Sequence, residues 1–330
     1  MLEDLTKRNQ ELLSGFVGPD SGTNLKLISH EIIDGKCFSG TLCSDEGIRY
    51  PIVEFIPRFV SGSAYTESFG YQWNLHQKTQ LDSYTGLTIS RDRLFESTQW
   101  ESDLRGEMVL EAASGAGRFT EPLLSTGATV YSFDYSRAVD ANFRNNGHAE
   151  NLCLFQADIF RIPLKPASFD KVICLGALQH TSDPGGAFCS LSRMVKPGGM
   201  FVMDIYARTI TAMLSWKYLL RPFTKRMERE KLYNKVSRLT PPLIPYSQRL
   251  RKILGRLGPR LLPISEYSHL GLSPELNMEW AILDTFDCYS PTHDHPARID
   301  QVRKWFEKAG FKEIIVRYGP NGIVGCGVKI

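Results

Sequence analysis

The chain has 330 residues, a net charge of +3, 42% hydrophobic and 23% charged residues, and seven cysteines. This is ordinary globular usage and excludes a disordered, collagen-like or coiled-coil chain. No apolar run reaches the ~18 residues of a membrane span, the opening MLEDLTKRNQ lacks a secretory hydrophobic core, and no two Cys form a C-x-x-C pair, so a reducing cytoplasm is expected.

Residues 1–62 read as a small β-rich module with turns at Gly35, Gly40 and Gly47 and a strand-like end at Tyr50-Pro-Ile-Val-Glu-Phe. Residues 63–105 are aromatic-rich and predict a helical cap. Residues 106–204 alternate strands with helical stretches. The strands are Met108–Ala112, Ala128–Phe133, Leu152–Gln156, Phe169–Leu175 and Met200–Asp204, the last after the turn Lys196-Pro-Gly-Gly199. That alternation predicts a doubly wound, mostly parallel sheet.

Residues 205–296 interrupt the rhythm as a basic helical insert. Arg208 to Arg260 holds 14 Lys and Arg against Glu228 and Glu230, a net +12, so the rest of the chain is −9. Trp216, Tyr218, Leu219, Leu220, Phe223 and Met227 sit among these cations in an amphipathic pattern. Pro241-Pro-Leu-Ile-Pro245 is expected to break the insert into two helical pieces. Residues 297–330 close the chain with a helix, Ile299–Ala309, stopped by Gly310. A strand pair follows, Lys312–Arg317 and Ile323–Ile330, around Pro320-Asn-Gly322.

The chemistry concentrates at strand ends. In a doubly wound sheet the ligand lies beyond the carboxyl ends of the strands. After the first strand, Ala113, Gly115, Ala116 and Gly117 permit close approach to the backbone. Asp134 ends the second strand and can accept both ribose hydroxyls. Asp158 ends the third and can accept an adenine amino group. A dinucleotide site wants Gly or Ala three positions past the second glycine; Thr120 stands there. Glu111, inside the strand, suits a cationic sulfonium ligand better than a pyrophosphate.

Glu111-Ala-Ala-Ser-Gly-Ala-Gly117 resembles the E-x-G-x-G-x-G motif of class I S-adenosylmethionine-dependent methyltransferases. Gln156-Ala-Asp158, Ser168–Leu175, Leu178–Pro184 and Val195–Gly199 resemble later motifs of that family, in the same order. The one departure is Ala113, where the family has its first glycine. The resemblance implies a Rossmann-like, seven-stranded sheet with an antiparallel last strand and S-adenosylmethionine as cofactor. It implies that Gly115 and Gly117 line the methionine part and that Asp134 holds the ribose. Tyr135 would flank the adenine, Asp158 and Ile159 would fix it, and Leu175 would offer its carbonyl.

The flanks add expectations. Residues 40–60 resemble a zinc-ribbon module fused to some methyltransferases and the activator subunit of others. Cys43 is present, but Glu46 replaces its partner, and His30 and Cys37 are the nearest upstream candidates. A structural zinc needs about four convergent ligands, so a metal-free, degenerate module is expected. Ser68-Phe-Gly-Tyr-Gln-Trp-Asn74 resembles a segment preceding the core in such fused enzymes. Its Tyr71 and Gln72 are candidate cofactor contacts, and its aromatics could instead pin a helix to the sheet. His180 is a candidate base or a packing residue. Tyr206, Asp287, Tyr289 and His293 are candidate acceptor contacts, although His293-Asp-His-Pro296 also reads as a helix-entry turn.

The acceptor expected is a small molecule under a lid formed by the insert, with the basic stretch suggesting an anionic group. An RNA methyltransferase is the alternative enzyme, and a membrane-surface or partner-binding protein the alternative of another class. Peripheral membrane contact and oligomeric state stay open.

Overall fold

The computed structural model describes residues 2–60 and 75–330. Helix α1 (Leu2–Ser14) precedes an antiparallel sheet of β1 (Lys26–Ile33), β2 (Lys36–Cys43), β3 (Arg49–Val53) and β4 (Ile56–Pro57), paired in that order. Asp34 and Gly35, both at positive φ, make the tight β1–β2 turn, where Asp-Gly matches the twist of a two-residue hairpin. Short helices α2 (Asp82–Thr85) and α3 (Ile89–Thr98) then lead into the core.

The core runs β5 (Met108–Ala112), α4 (Thr120–Leu124), β6 (Thr129–Asp134), α5 (Ala138–Asn146), β7 (Leu152–Gln156), β8 (Phe169–Cys174), α6 (Pro184–Ser192) and β9 (Val195–Ile205). After the insert it resumes with α11 (Ile299–Lys308), β10 (Phe311–Gly319) and β11 (Gly322–Lys329). The insert itself holds α7 (Ile210–Met213), α8 (Trp216–Thr224), α9 (Arg229–Leu254) and α10 (Pro274–Tyr289). The sheet order is β10-β11-β9-β8-β5-β6-β7. Strands β5 to β9 pair in parallel, while β11 lies antiparallel to both β9 and β10. This is the doubly wound, seven-stranded arrangement expected, with an antiparallel last strand.

The central strands are apolar on both faces because helices cover both; Val109, Leu110, Val172 and Val202 are fully buried. α11 turns Val302 and Phe306, one helical turn apart, onto β11. Gly325 and Gly327 leave room there, since a β-carbon at either would press on Phe306. The N-terminal module covers the β7 edge, which would otherwise expose unpaired backbone groups. Phe59 N donates to Gln156 O at 2.9 Å, and Arg58 pairs with Asp140 at 2.5 Å. Phe16 packs against Phe59 and Phe155 across this seam.

The insert departs from expectation. Pro241, Pro242 and Pro245 lie within one continuous helix, α9, instead of splitting it. Leu232, Val236, Thr240, Ile244 and Ser247 form an unbroken buried stripe past them. Packing along that stripe outweighs the lost amide donors. Leu232, Val236, Phe286 and Tyr289 build a small core between α9 and α10. Ser273 caps α10 by accepting the Leu276 amide at 3.2 Å, with Pro274 at the first helical position.

Candidate active site

A cavity of about 370 Å³ opens at the carboxyl ends of β5, β6, β7 and β8. On one side it is lined by Ala113, Ser114, Gly115 and Ala116 after β5, Asp134 and Tyr135 after β6, Asp158 and Ile159 after β7, and Leu175 after β8. The turn after β5 alternates positive φ at Ala113 (57°), Gly115 (54°) and Gly117 (94°). This curls the chain so that the Gly115 amide donates to Asp134 Oδ2 at 2.9 Å. Asp134 Oδ1 accepts the Ser136 amide (2.8 Å) and hydroxyl (2.7 Å). Burial raises the Asp134 pKa, and these donors oppose the rise. Asp158 Oδ1 accepts the Phe160 amide at 2.9 Å, which fixes its loop.

Two of the expected cofactor residues stand behind this surface. Glu111 does not line the cavity: it is buried beneath the turn, where Oε2 accepts Thr120 Oγ1 (2.5 Å) and Ser132 Oγ (2.8 Å). Burial pushes its pKa up to about 7. Thr120, where a dinucleotide motif would have a small residue, is thus one of the two donors that hold this carboxyl. Gly117 also lies off the lining. Its missing side chain serves packing, because a β-carbon would collide with Asn142 and Asn146 of α5. The expected contacts of Tyr71 and Gln72 lie outside the described residues.

The opposite side of the cavity comes from the insert and from elements the sequence did not mark. Tyr206, Ser265, Tyr267, Asp284, Asp287 and Cys288 face Gln80, Arg93, Arg118 and His180. Asp284 accepts Gln80 Nε2 and Trp280 Nε1, each at 3.0 Å, and burial pushes its pKa up to about 6. Arg118 lies over the rings of Phe119 and Trp280, and its Nε donates to Ser90 Oγ at 3.1 Å. Burial pushes its pKa down to about 10, so it stays cationic at neutral pH. Arg93 is engaged by Asp204 at 2.8 Å. Asp204 also accepts the Gly176 amide and Asn321, tying the β8 end to the β10–β11 turn.

His180 stands in the wall, its Nδ1 donating to the His293 carbonyl at 3.1 Å and its ring edge-on to Tyr206. Burial, reinforced by the nearby Lys217 cation, pushes its pKa down to about 4. It is therefore neutral and weakly basic at pH 7. Of the candidate acceptor contacts, Tyr206 and Asp287 line the cavity, whereas Tyr289 and His293 do not. Tyr289 turns away because its hydroxyl donates to the Pro263 carbonyl at 2.9 Å within the α9–α10 core. His293 stacks on His295, and its carbonyl accepts from His180 in the wall.

The described basic residues of the insert are also off the lining, so they do not supply an anion site there. Lys217 and Arg221 instead point at Asp294, and Arg251 at Glu266. The Asp284–Asp287–Cys288 spacing puts all three on one helical face, a signal visible in the sequence once that segment is read as helix. Nothing local to Gln80, Arg93 or Tyr267 announces them.

Strand order and strand-end carboxylates define a Rossmann-like methyltransferase fold, and residues 110–203 match the family model of the methyltransferase domain. The stretch from β5 to β9 thus carries a methyltransferase domain of the class I fold. The chain is 28% identical over 126 residues to the ubiquinone biosynthesis O-methyltransferase of Thiobacillus denitrificans, covering 36% of this chain and 54% of that protein. It is 28% identical over 137 residues to the demethylmenaquinone methyltransferase of Mycobacterium marinum, covering 41% of this chain and 57% of that protein. It spans little more than half the length of these curated relatives. Human N-acetylserotonin methyltransferase, solved with S-adenosylmethionine, superposes with a TM-score of 0.45 at 15% identity, covering 82% of this chain and 60% of that one. No helix among the described residues is long and apolar enough to cross a membrane. Among them, no group of three or more His, Cys, Asp or Glu side chains is arranged to hold a metal.

Proposed function

We propose that this protein transfers a methyl group from S-adenosylmethionine to a small-molecule acceptor held between the strand ends and α10. The observation that carries this reading is the single continuous cavity, with the strand-end carboxylates on one side and Asp284, Asp287 and Tyr206 on the other. The cofactor fits the groups present. Asp134 and Asp158 are acceptors suited to ribose hydroxyls and an adenine amino group. Arg118 is a half-buried, cavity-lining cation suited to an amino-acid carboxylate. When bound, the cofactor supplies an electrophilic methyl group on a cationic sulfur.

The chain's own contribution is alignment and exclusion of water. Ala113 to Ala116 bring the backbone close, Leu175 and Ile159 supply apolar walls, and α10 closes the acceptor side. Where the acceptor carries a proton, Asp284 is the better placed base. Its pKa of about 6 leaves it ionised yet near neutrality, whereas His180 at about 4 holds a proton poorly. The small-molecule methyltransferases among the relatives support this choice of acceptor class. The antiparallel β1–β4 sheet supports reading the N-terminus as a degenerate zinc-ribbon-like module. Seven free cysteines fit a reducing cytoplasm.

Labelled S-adenosylmethionine incubated with a metabolite extract tests the proposal. Label is expected in low-mass products. Label retained on extracted RNA, with none in small molecules, would overturn it.

A further inference from the structure

Helix α8 is inside out. Its cations Lys217 and Arg221, one turn apart, point inward to Asp294, which is only 3% exposed; Lys217 Nζ lies 2.9 Å from it and Arg221 Nε 3.6 Å. Its apolar residues Trp216, Leu219 and Phe223, at helical i, i+3, i+7 spacing, share the opposite face. Leu219 is 56% and Phe223 72% exposed. Ile210 and Leu214, just before the helix, are also exposed. A helix on a globular surface ordinarily turns its apolar stripe to the core. Here the buried carboxylate draws the cations in, and although Leu220 packs on the α9–α10 core, Trp216, Leu219 and Phe223 are left facing out.

Charge says what this face meets. The apolar residues are followed at once by exposed Lys225 and Arg226, within a segment of net +12 on a chain otherwise −9. An anionic surface would attract the insert and repel the remainder, presenting α8 first. A proteinaceous partner would need a matching pocket, whereas apolar tips flanked by the exposed Lys225 and Arg226 match the boundary between anionic headgroups and acyl chains.

We infer that the α7–α8 face docks on an anionic lipid bilayer, with Leu219 and Phe223 entering the headgroup–acyl boundary. Lys217 also lies 3.9 Å above the ring of Tyr206, a cavity-lining residue. Helix α8 therefore adjoins the acceptor side of the cavity through its inward face, while its opposite face docks. That corollary rests on the proposed function; the docking itself does not.

Co-sedimentation with phosphatidylcholine vesicles, with and without phosphatidylglycerol, tests the inference on the full chain. Binding is expected only to the anionic vesicles and is expected to weaken with salt. Leu219→Ser/Phe223→Ser should weaken partitioning about tenfold or more while leaving the melting temperature unchanged, since both positions are exposed. Lys225→Glu/Arg226→Glu should weaken it mainly at low salt. No binding to anionic vesicles at low salt, or equal binding by the Leu219/Phe223 variant, would overturn the inference. So would a dimer in sedimentation equilibrium that this variant dissociates, because the face would then meet a second copy.

Discussion

The carboxylate of Asp134 at the end of β6 accepts the Gly115 amide at 2.9 Å, so one side chain both shapes the turn after β5 and faces the cofactor side of the cavity. Calorimetry with S-adenosylhomocysteine should show micromolar binding, about −8 kcal/mol, to the native chain. Asp134→Ala should lose most of it. Melting temperatures measured alongside separate a collapsed turn from a lost ribose acceptor. Equal affinity in both chains would remove Asp134 from the cofactor.

Asp294 is the only carboxylate within ion-pair reach of Lys217 and Arg221 among the described residues. Asp294→Ala leaves two largely buried cations uncompensated and should cost about 3 kcal/mol in urea unfolding. Adding Lys217→Met and Arg221→Met should restore much of the loss, because the stranded charges are gone. A single-variant cost below about 0.5 kcal/mol would show that the pair is solvated.

Glu111 titrates near pH 7 in the fold and near 4.5 when unfolded. Its folded pKa is the higher, so the folded state binds the extra proton between these values. The associated stability is complete below about pH 4.5 and is lost as pH rises through about 7, by about 3 kcal/mol. Glu111→Gln should remove that slope, so the difference between the two unfolding profiles should grow from pH 5 to 8. Parallel profiles would mean that Glu111 ionises normally.

Ala113 holds a left-handed φ of 57°, which costs a residue with a β-carbon about 1–2 kcal/mol. Ala113→Gly relieves that strain but enlarges the unfolded ensemble, which offsets about 0.4–1 kcal/mol. A net gain of up to about 1 kcal/mol in thermal unfolding is expected. A clear loss would show that the methyl group makes compensating contacts.

The base assignment predicts a pH profile. With a protonated acceptor, kcat/KM should rise as Asp284 ionises through about pH 6. Asp284→Asn should lower it about a hundredfold and flatten that limb. His180→Gln should leave the limb in place, since His180 titrates near 4. If the limb vanished with His180 instead, the two roles would be exchanged.

The core strands could be read from the chain because each is a short apolar run ending in a glycine turn or an aspartate. Met108–Ala112 and Leu152–Gln156 fall where expected, and Asp134 and Asp158 reach the cavity together. Gly117 and Glu111 belong to the same motif but serve it from behind. A motif records which residues recur together and not which atom faces the ligand. The continuity of α9 past three prolines was hidden because local propensity predicts a break, and only the packed stripe reverses it.

Local pattern alone, then, sufficed for the class of the sheet and the carboxylates at the strand tips, since these depend on neighbours within a few residues. The acceptor wall, the inward cations of α8 and the depressed basicity of His180 depend on residues distant in the chain, such as Gln80 with Asp284, 204 positions apart, and His180 with His293, 113 apart. Folding alone brings Gln80, Arg93 and Arg118 opposite Asp284, and buries Asp294 where it can turn a helix over.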